Sequence, residues 1–528
     1  MIRKLKDFLH RPNSLKGATG ILAITLFLSN VLGLLRNVVL AGKFQPEELD
    51  IYFAGFQIPN LIFNLLVLGA ISTAFIPVFS ELIASKKIKE SWQVTATLFN
   101  LVTIVLVVLS VVLIIFAPQT IHYIVPGFEK HRLDETIAVS RIMFLQAIIF
   151  GWSYIVSGVL NSYKRFTAYA LAPLFYNISI IIGALLGDRI GIIGLSWFVV
   201  FGAFLHFLVQ LIPAWKIGFR PSLTLQLKNQ SLKQILKLML PRNFSLGIQQ
   251  INMLVFTAMA SVMAAGSIAV FNLTNDFQTA PTVIFANSLA IALFPTLSEL
   301  ASKKDWPEFE RVFAKSLRIT IFFLMPSAFI MFILRAQIMR LYVGLGKSFD
   351  WEATIMAMNT LAYFAIGIVP VGIVAIYSRV FYALKNTKLP MYLGAGSIII
   401  SIILANFFGK LGVGGLALAL SIGNIINAVL LYIAYKYVYH KQLEELQVLK
   451  TAGVSFGTSI IMITGIWYTL QLVDRFYQLD QIPTSTQEVL GLFIQTSIAF
   501  IVGCGIYWLL AKLWQKEELD LLHQRSKK

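Results

Sequence analysis

Long apolar runs separated by short polar breaks dominate the chain, and a window of about 19 residues resolves roughly fourteen of them. They span 17–40, 50–84, 92–117, 134–160, 168–187, 190–215, 232–262, 268–300, 310–333, 352–382, 389–408, 412–437, 449–472 and 488–513. The runs are too long and too uniformly apolar for barrel strands of about ten alternating residues, so they predict membrane-spanning helices. Internal prolines at Pro59, Pro77, Pro281, Pro295 and Pro370 predict kinks whose freed carbonyls face protein or water.

Basic residues sort by side. Lys4, Lys6, Arg11, Lys86, Lys87, Lys89, Lys164, Arg165, Lys216, Arg220, Lys233, Lys303, Lys304, Lys385, Lys388, Lys441, Arg525, Lys527 and Lys528 fall on one side of the predicted spans. The opposite loops hold fewer, among them Lys43, Lys130, Arg132, Arg189, Lys347, Lys410 and Arg475. This asymmetry places both termini in the cytoplasm. The basic amino terminus leads into an apolar run with no small-residue cleavage site, which reads as a retained first span.

Stretches recur in order. "GAISTAFIPVFSELIASKK" at 69–87 returns as "LAIALFPTLSELASKK" at 289–304, and "VSGVLNSYKRFTAY" at 156–169 is echoed by "YSRVFYALKNTKLP" at 377–390. Both pairs are offset by roughly 220 residues, which a chance match of one amphipathic helix end does not explain. Six helices per unit keep the two copies in the same orientation, the parallel repeat found in transporters. The expected fold is an all-α integral membrane protein: an N-lobe at 1–220 (helices one to six), a C-lobe at 221–445 (helices seven to twelve), and helices thirteen and fourteen with a basic tail at 446–528.

Composition agrees. Of 528 residues 57% are hydrophobic and 13% charged, with a mean hydropathy of +0.77, far from a soluble mix. The formal charge of +18 sits in short loops, a pattern of orientation that excludes nucleic acid as the partner. A single cysteine, Cys504, rules out an intramolecular disulfide. Neither a metal nor a cofactor site is expected, since His206 is the only histidine inside a span and has no neighbouring ligand.

Polar stripes interrupt the apolar pattern on helices at equivalent places in the two repeats. Gln57, Asn60 and Asn64 share one face of helix two. Arg242, Ser245, Gln249 and Asn252 form a stripe on helix seven, and Asn272, Asn275, Asp276 and Thr279 one on helix eight. Together they predict a hydrated cleft between the lobes, against the alternative that each amide merely glues helices together. Arg36 lies about 30 Å along its helix from Lys16 and either serves the cleft or snorkels to headgroups, and Arg242, about 8 Å beyond Lys237, has the same two readings. Asp276, about 12 Å inside helix eight, is too short to snorkel and needs a partner or water.

At these residues the chain resembles the MurJ/MviN lipid II flippases of the multidrug/oligosaccharidyl-lipid/polysaccharide exporter superfamily. "SNVLGLLRN" at 29–37 follows the family pattern S-R-x-L-G-x-x-R-D, and "LDIYFAGFQIPNL" at 49–61 follows D-x-F-x-x-A-F-x-L-P-N. "GAISTAFIPVFSE" at 69–81 matches E-G-A-x-S-x-A-F-x-P without its leading glutamate, and the resemblance extends over essentially the whole chain. It implies an inner-membrane flippase without enzymatic activity that carries a lipid II-like substrate by lobe rocking, with cell-wall synthesis proteins as candidate partners. By the same resemblance Arg36, Asn30, Asn37 and Asp50 join the stripe residues as substrate-binding candidates. The chain departs from the family at Asn30, Phe63, Asn64, Leu68, Asn275 and Asp276, where charged residues or an Asp-Arg pair are expected. Those departures keep open a different lipid-linked saccharide or amphiphile, and a lipid-binding pseudo-flippase that does not transport. A membrane enzyme would need a carboxylate or histidine cluster, and Asp134 with Glu135 is only an isolated loop pair.

Overall fold

The computed structural model describes residues 15–68, 74–346, 348–438, 444–477 and 486–523, and among them every regular element is helical. They divide into two compact units, Met1–Ile268 and Ala269–Lys528. Lys4, Lys6, Arg11, Lys347, Lys441, Arg525, Lys527 and Lys528, used above for orientation, lie outside the described residues.

In the first unit, α1 (Leu15–Lys43) is followed by α2 (Pro46–Phe63), which runs into a π turn at Asn64–Leu68. Then come α3 (Ile76–Ala84), α4 (Ile88–Ile115), the short α5 (Ala117–Ile124), α6 (Lys130–Ser162), α7 (Phe166–Leu185), α8 (Gly187–Lys216) and α9 (Gln230–Ser261). The start of α2 is set locally: Pro46 occupies the first turn, where its missing N–H is no loss, and Glu48 accepts the Gln45 N–H at 2.8 Å. α9 is capped by Asn229, whose side chain accepts from the Ser231 and Leu232 N–H groups.

In the second unit, α10 (Ser267–Pro281) passes through a π turn at Thr282–Asn287 into α11 (Ser288–Lys303). There follow α12 (Trp306–Ile333), the short α13 (Arg335–Tyr342), α14 (Trp351–Ala383), α15 (Lys388–Phe408), α16 (Val413–Val438), α17 (Glu445–Tyr477), α18 (Thr486–Trp514) and α19 (Lys516–His523). The final long pair, α17 and α18, docks on α12 through Met462, Ile466, Ala499 and Tyr507 against Phe322 and Leu334.

Each predicted apolar run corresponds to one long helix, except that 268–300 is a helix pair joined by a π turn and 50–84 holds α2, a π turn and α3, with residues 69–73 outside the described residues. Among the described residues, 12 helices are long and apolar enough to cross a membrane; α1 and the polar α9 are long helices outside that set. The apolar pattern is turned outward as a bilayer requires: α4 buries Val94, Leu98, Val102 and Leu106 on one face and exposes Ile104, Val108, Val111 and Ile115 on the other.

The duplication is written in the backbone. Both π turns begin 13 positions before the proline of the repeated motif, Asn64 before Pro77 and Thr282 before Pro295. Pro281 leads directly into the second turn: a ring without N–H withdraws one donor from the ladder and favours a register change. Pro77 lies in the first turn of α3, directly after the π-helical residues 74 and 75, and residues 69–73 before them lie outside the described residues. Four helix ends share one cap. Lys86, Lys164, Lys304 and Lys385 adopt left-handed φ of 58°, 58°, 58° and 60°. In each, the lysine N–H bonds back to the third carbonyl before it and the next N–H to the fifth before that, as Lys86 to Ile83 at 3.0 Å and Lys87 to Leu82 at 2.9 Å.

Candidate functional site

In the first unit Arg36 is half-buried and held on two sides. Its Nε and Nη2 donate to Asn37 Oδ1 at 3.1 and 2.9 Å, and Nη1 donates to Asn177 Oδ1 on α7 at 3.2 Å. Asn37 and Asn177 are buried, so two fixed carboxamide oxygens orient a planar, permanently charged donor group. Asn30, on the same helix, is exposed.

Asp50 is only 2% exposed and already engaged. Its Oδ2 accepts from Arg132 Nη2 at 2.8 Å and from the Gly266 N–H at 2.8 Å. The Arg132 guanidinium also lies 4.1 Å from the centre of the Phe128 ring. Gly266 has φ +84°, and a Cβ there would sit 2.5 Å from Pro46, so only glycine lets this turn approach α2. Gly127 makes the same kind of approach to the end of α9, where a Cβ would meet the Ser261 carbonyl at 2.2 Å. Asp50 is thus placed as a clasp, and it presents its charge to the protein itself.

Gln57, Asn60 and Asn64 are half-buried along α2 and the opening of its π turn. Asn252 on α9 is buried, and its Oδ1 has no hydrogen-bond partner among the described residues. A buried acceptor left open is costly unless something else fills it. The side chains of Arg242, Ser245 and Gln249 lie outside the described residues.

In the second unit Asn272 and Asn275 are half-buried and Asp276 is exposed on α10. Gln278 Nε2 donates to Asn275 Oδ1 at 3.1 Å, and Thr279 Oγ1 to the Asp276 carbonyl at 2.9 Å. Immediately beyond, the same helix changes character. Phe277, Ala280, Ile284 and Phe285 form one wall of a groove of about 610 Å³, closed by Ile330 and Met331 of α12 and by Phe493, Phe500 and Ile501 of α18. Phe285 is stacked on Phe323 with ring centres 4.7 Å apart, which fixes the π turn that shapes this wall.

Three features had no place in the sequence reading. Ser153, Ser157, His206 and Gln210 form a buried network joining α6 to α8, with Ser153 Oγ 2.7 Å from His206 Nδ1 and Gln210 Nε2 donating to Ser153 Oγ at 2.9 Å. Arg318, within α12, is buried against Glu518 (2.8 Å), Glu517 (2.6 Å) and Gln447 (2.7 Å). Burial opposes the charge on Glu518, but hydrogen bonds from Thr451 and Arg318 outweigh it and hold the carboxyl below the usual glutamate range. A charge inside an apolar run, the signal that drew attention to Arg36, was present at Arg318 as well. The lipid-facing side of α18 gave no sign of the groove, because a groove wall and a bilayer-facing surface are equally apolar.

A multi-span helical protein built from two repeats, with oriented polar groups inside its bundles and an apolar groove beside a polar helix face, belongs to the class of membrane transporters. The family model for the lipid II flippase MurJ matches residues 47–486, and the chain belongs to that family. It is 29% identical over 425 residues to the lipid II flippase MurJ of Burkholderia cenocepacia, covering 78% of this chain and 81% of that one. It is 27% identical to the probable lipid II flippase MurJ of Rickettsia prowazekii, covering 92% and 95%. Among solved structures it resembles a lipid II flippase MurJ in an inward closed conformation, with a TM-score of 0.78, 25% identity and 94% and 99% coverage. An inward-facing MATE family transporter of the MOP superfamily shares the fold, with a TM-score of 0.68 and 15% identity over 79% of this chain and 96% of that one.

Proposed function

We propose that the chain carries lipid II, a polyprenyl-diphosphate-linked saccharide, from the cytoplasmic to the outer leaflet of the bacterial inner membrane by alternating access. The observation that carries this reading is the change of character along α10: Asn272, Asn275 and Asp276 present polar groups, and from Phe277 onward the helix lines an apolar groove. An amphiphile with a hydrated head and a hydrocarbon tail is the ligand that needs both on one element. Family membership supports the same substrate. In this reading Arg36 binds diphosphate, since a guanidinium offers planar, multidentate donors that an ammonium lacks. Asp50 positions α2 and does not touch the substrate.

Both termini are cytoplasmic in this reading, on the ground of the Lys/Arg asymmetry. Coupling runs through membrane potential or protons, because deep carboxylates are too scarce in the second unit for a sodium cage of several oxygens. Cell-wall synthesis proteins are the partners that would consume the exported lipid.

The test is translocation of fluorescent lipid II in proteoliposomes of purified full-length chain, read by accessibility of the headgroup to an external quencher. Leaflet exchange that needs the protein supports the proposal. Binding without exchange identifies a pseudo-flippase, and exchange confined to another lipid-linked saccharide corrects the substrate. Strict sodium dependence would contradict the coupling.

A further inference from the structure

Pro326 lies inside α12. A proline has no N–H, so the Phe322 carbonyl, four residues earlier, loses the donor that a helix interior ordinarily gives it. Phe322 is buried, and a buried acceptor left open is costly. The donor comes from another helix: the Tyr507 hydroxyl of α18 donates to the Phe322 carbonyl at 2.8 Å. Tyr507 is buried too, and its ring centre lies 5.4 Å from that of Phe322. A hydroxyl has one proton to give, and Gln515 Oε1, at 3.4 Å, is the weaker acceptor for it. A phenylalanine at 507 could make the same ring contact, so what the hydroxyl adds is a partner for the carbonyl that Pro326 frees.

This pair sits where the apolar groove begins. The groove-lining residues of α12, Ser327, Ile330 and Met331, all follow Pro326, whereas Phe322 precedes it. On α18, Thr496 and Phe500 line the groove, and Tyr507 comes at the next recurrence of the same helix face, seven residues beyond Phe500. The remaining wall is tied to the same point: Phe322 meets Phe323 with ring centres 5.2 Å apart, and Phe323 is stacked on Phe285 of the π turn. Helices bend at an internal proline, because the ladder is broken there. One bond from α18 to the near side of Pro326 therefore governs how the far side stands against α18.

The geometry points to Tyr507 as a positioning residue for transport: its hydroxyl, held on the Phe322 carbonyl, fixes the register and rotation of α18 against α12 and thereby the width of the groove. Tyr507 does not itself line the groove. The inference rests on the reading that this groove takes the hydrocarbon tail of the substrate.

The experiment uses the full-length chain in detergent and two probes with the same headgroup, a long-chain polyprenyl phosphate and geranyl phosphate. Calorimetric titration gives the ratio of their affinities, and thermal unfolding gives a midpoint for each variant. Wild type should bind the long probe at least about tenfold more tightly, since more apolar surface leaves water. Tyr507→Phe keeps the ring and should lower that ratio about fivefold, the scale of one hydrogen bond, with geranyl phosphate affinity unchanged. A hydroxyl that only stabilised the fold would lower the midpoint and leave the ratio alone.

Pro326→Ala returns an N–H to the Phe322 carbonyl, so in that background Tyr507→Phe should change neither midpoint nor ratio. An unchanged ratio in Tyr507→Phe would overturn the proposal, and so would equal losses of midpoint with Pro326 and with Ala at that position. A wild type that binds both probes equally would show, before any variant is compared, that the groove does not hold the tail, and the positioning role would fall with that reading.

Discussion

The Asp50 carboxylate accepts the Gly266 N–H at 2.8 Å, and so ties the start of α2 to the turn that follows α9. With Arg132 on the same oxygen at 2.8 Å, one buried carboxylate joins three segments that are distant in sequence.

Asp50→Ala should therefore act on stability before it acts on transport. It strands the Arg132 guanidinium and the Gly266 N–H, at a cost of about 3 kcal/mol, near the lower end for broken buried pairs because Arg132 keeps some access to water. Asp50→Asn should cost less, since its amide oxygen still accepts from Gly266. Thermal unfolding in detergent checks this order, and equal midpoints for both variants would remove the clasp.

Arg36→Ala should abolish translocation in membranes that still contain the protein, and Arg36→Lys should keep only part of it, because an ammonium lacks the planar fork. Asn177→Ala, which removes the carboxamide that receives Nη1, should fall between them. The readout is lipid-linked saccharide reaching the outer leaflet, normalised to inserted protein. Wild-type export by Arg36→Ala would take the diphosphate away from this residue.

Filling the groove separates tail from head. Ala280→Trp places a large ring in a cavity of about 610 Å³ and should reduce transport of a long-chain substrate at least about tenfold, while a short-chain analogue with the same headgroup is affected less. Equal losses for both chain lengths would show that the groove does not hold the tail.

The Arg318–Glu518 pair should make the second unit acid-sensitive. Glu518 has a depressed folded pKa, so its contribution is complete above the unfolded glutamate value of about 4.3 and is lost as pH falls through the folded value. Wild type should lose thermal stability more steeply than Glu518→Gln below about pH 4. Parallel pH profiles would leave the pair without a role in stability.

The sequence by itself determined the fourteen apolar runs, the parallel duplication and the family, because hydrophobic periodicity and motif spacing are local properties of the chain. Arg36 was legible as an unusual charge for the same reason. Its partner Asn177 was not, nor were Gly266 for Asp50 and Glu518 for Arg318, which lie 141, 216 and 200 positions away. Which polar groups meet depends on how each helix is rotated about its axis and which neighbour it packs against, and membrane helices of similar apolar composition do not encode that choice in any single segment. The left-handed lysines belong to the same category: their sequence context reads as ordinary basic helix ends, and only the backbone of the folded chain shows four copies of one cap.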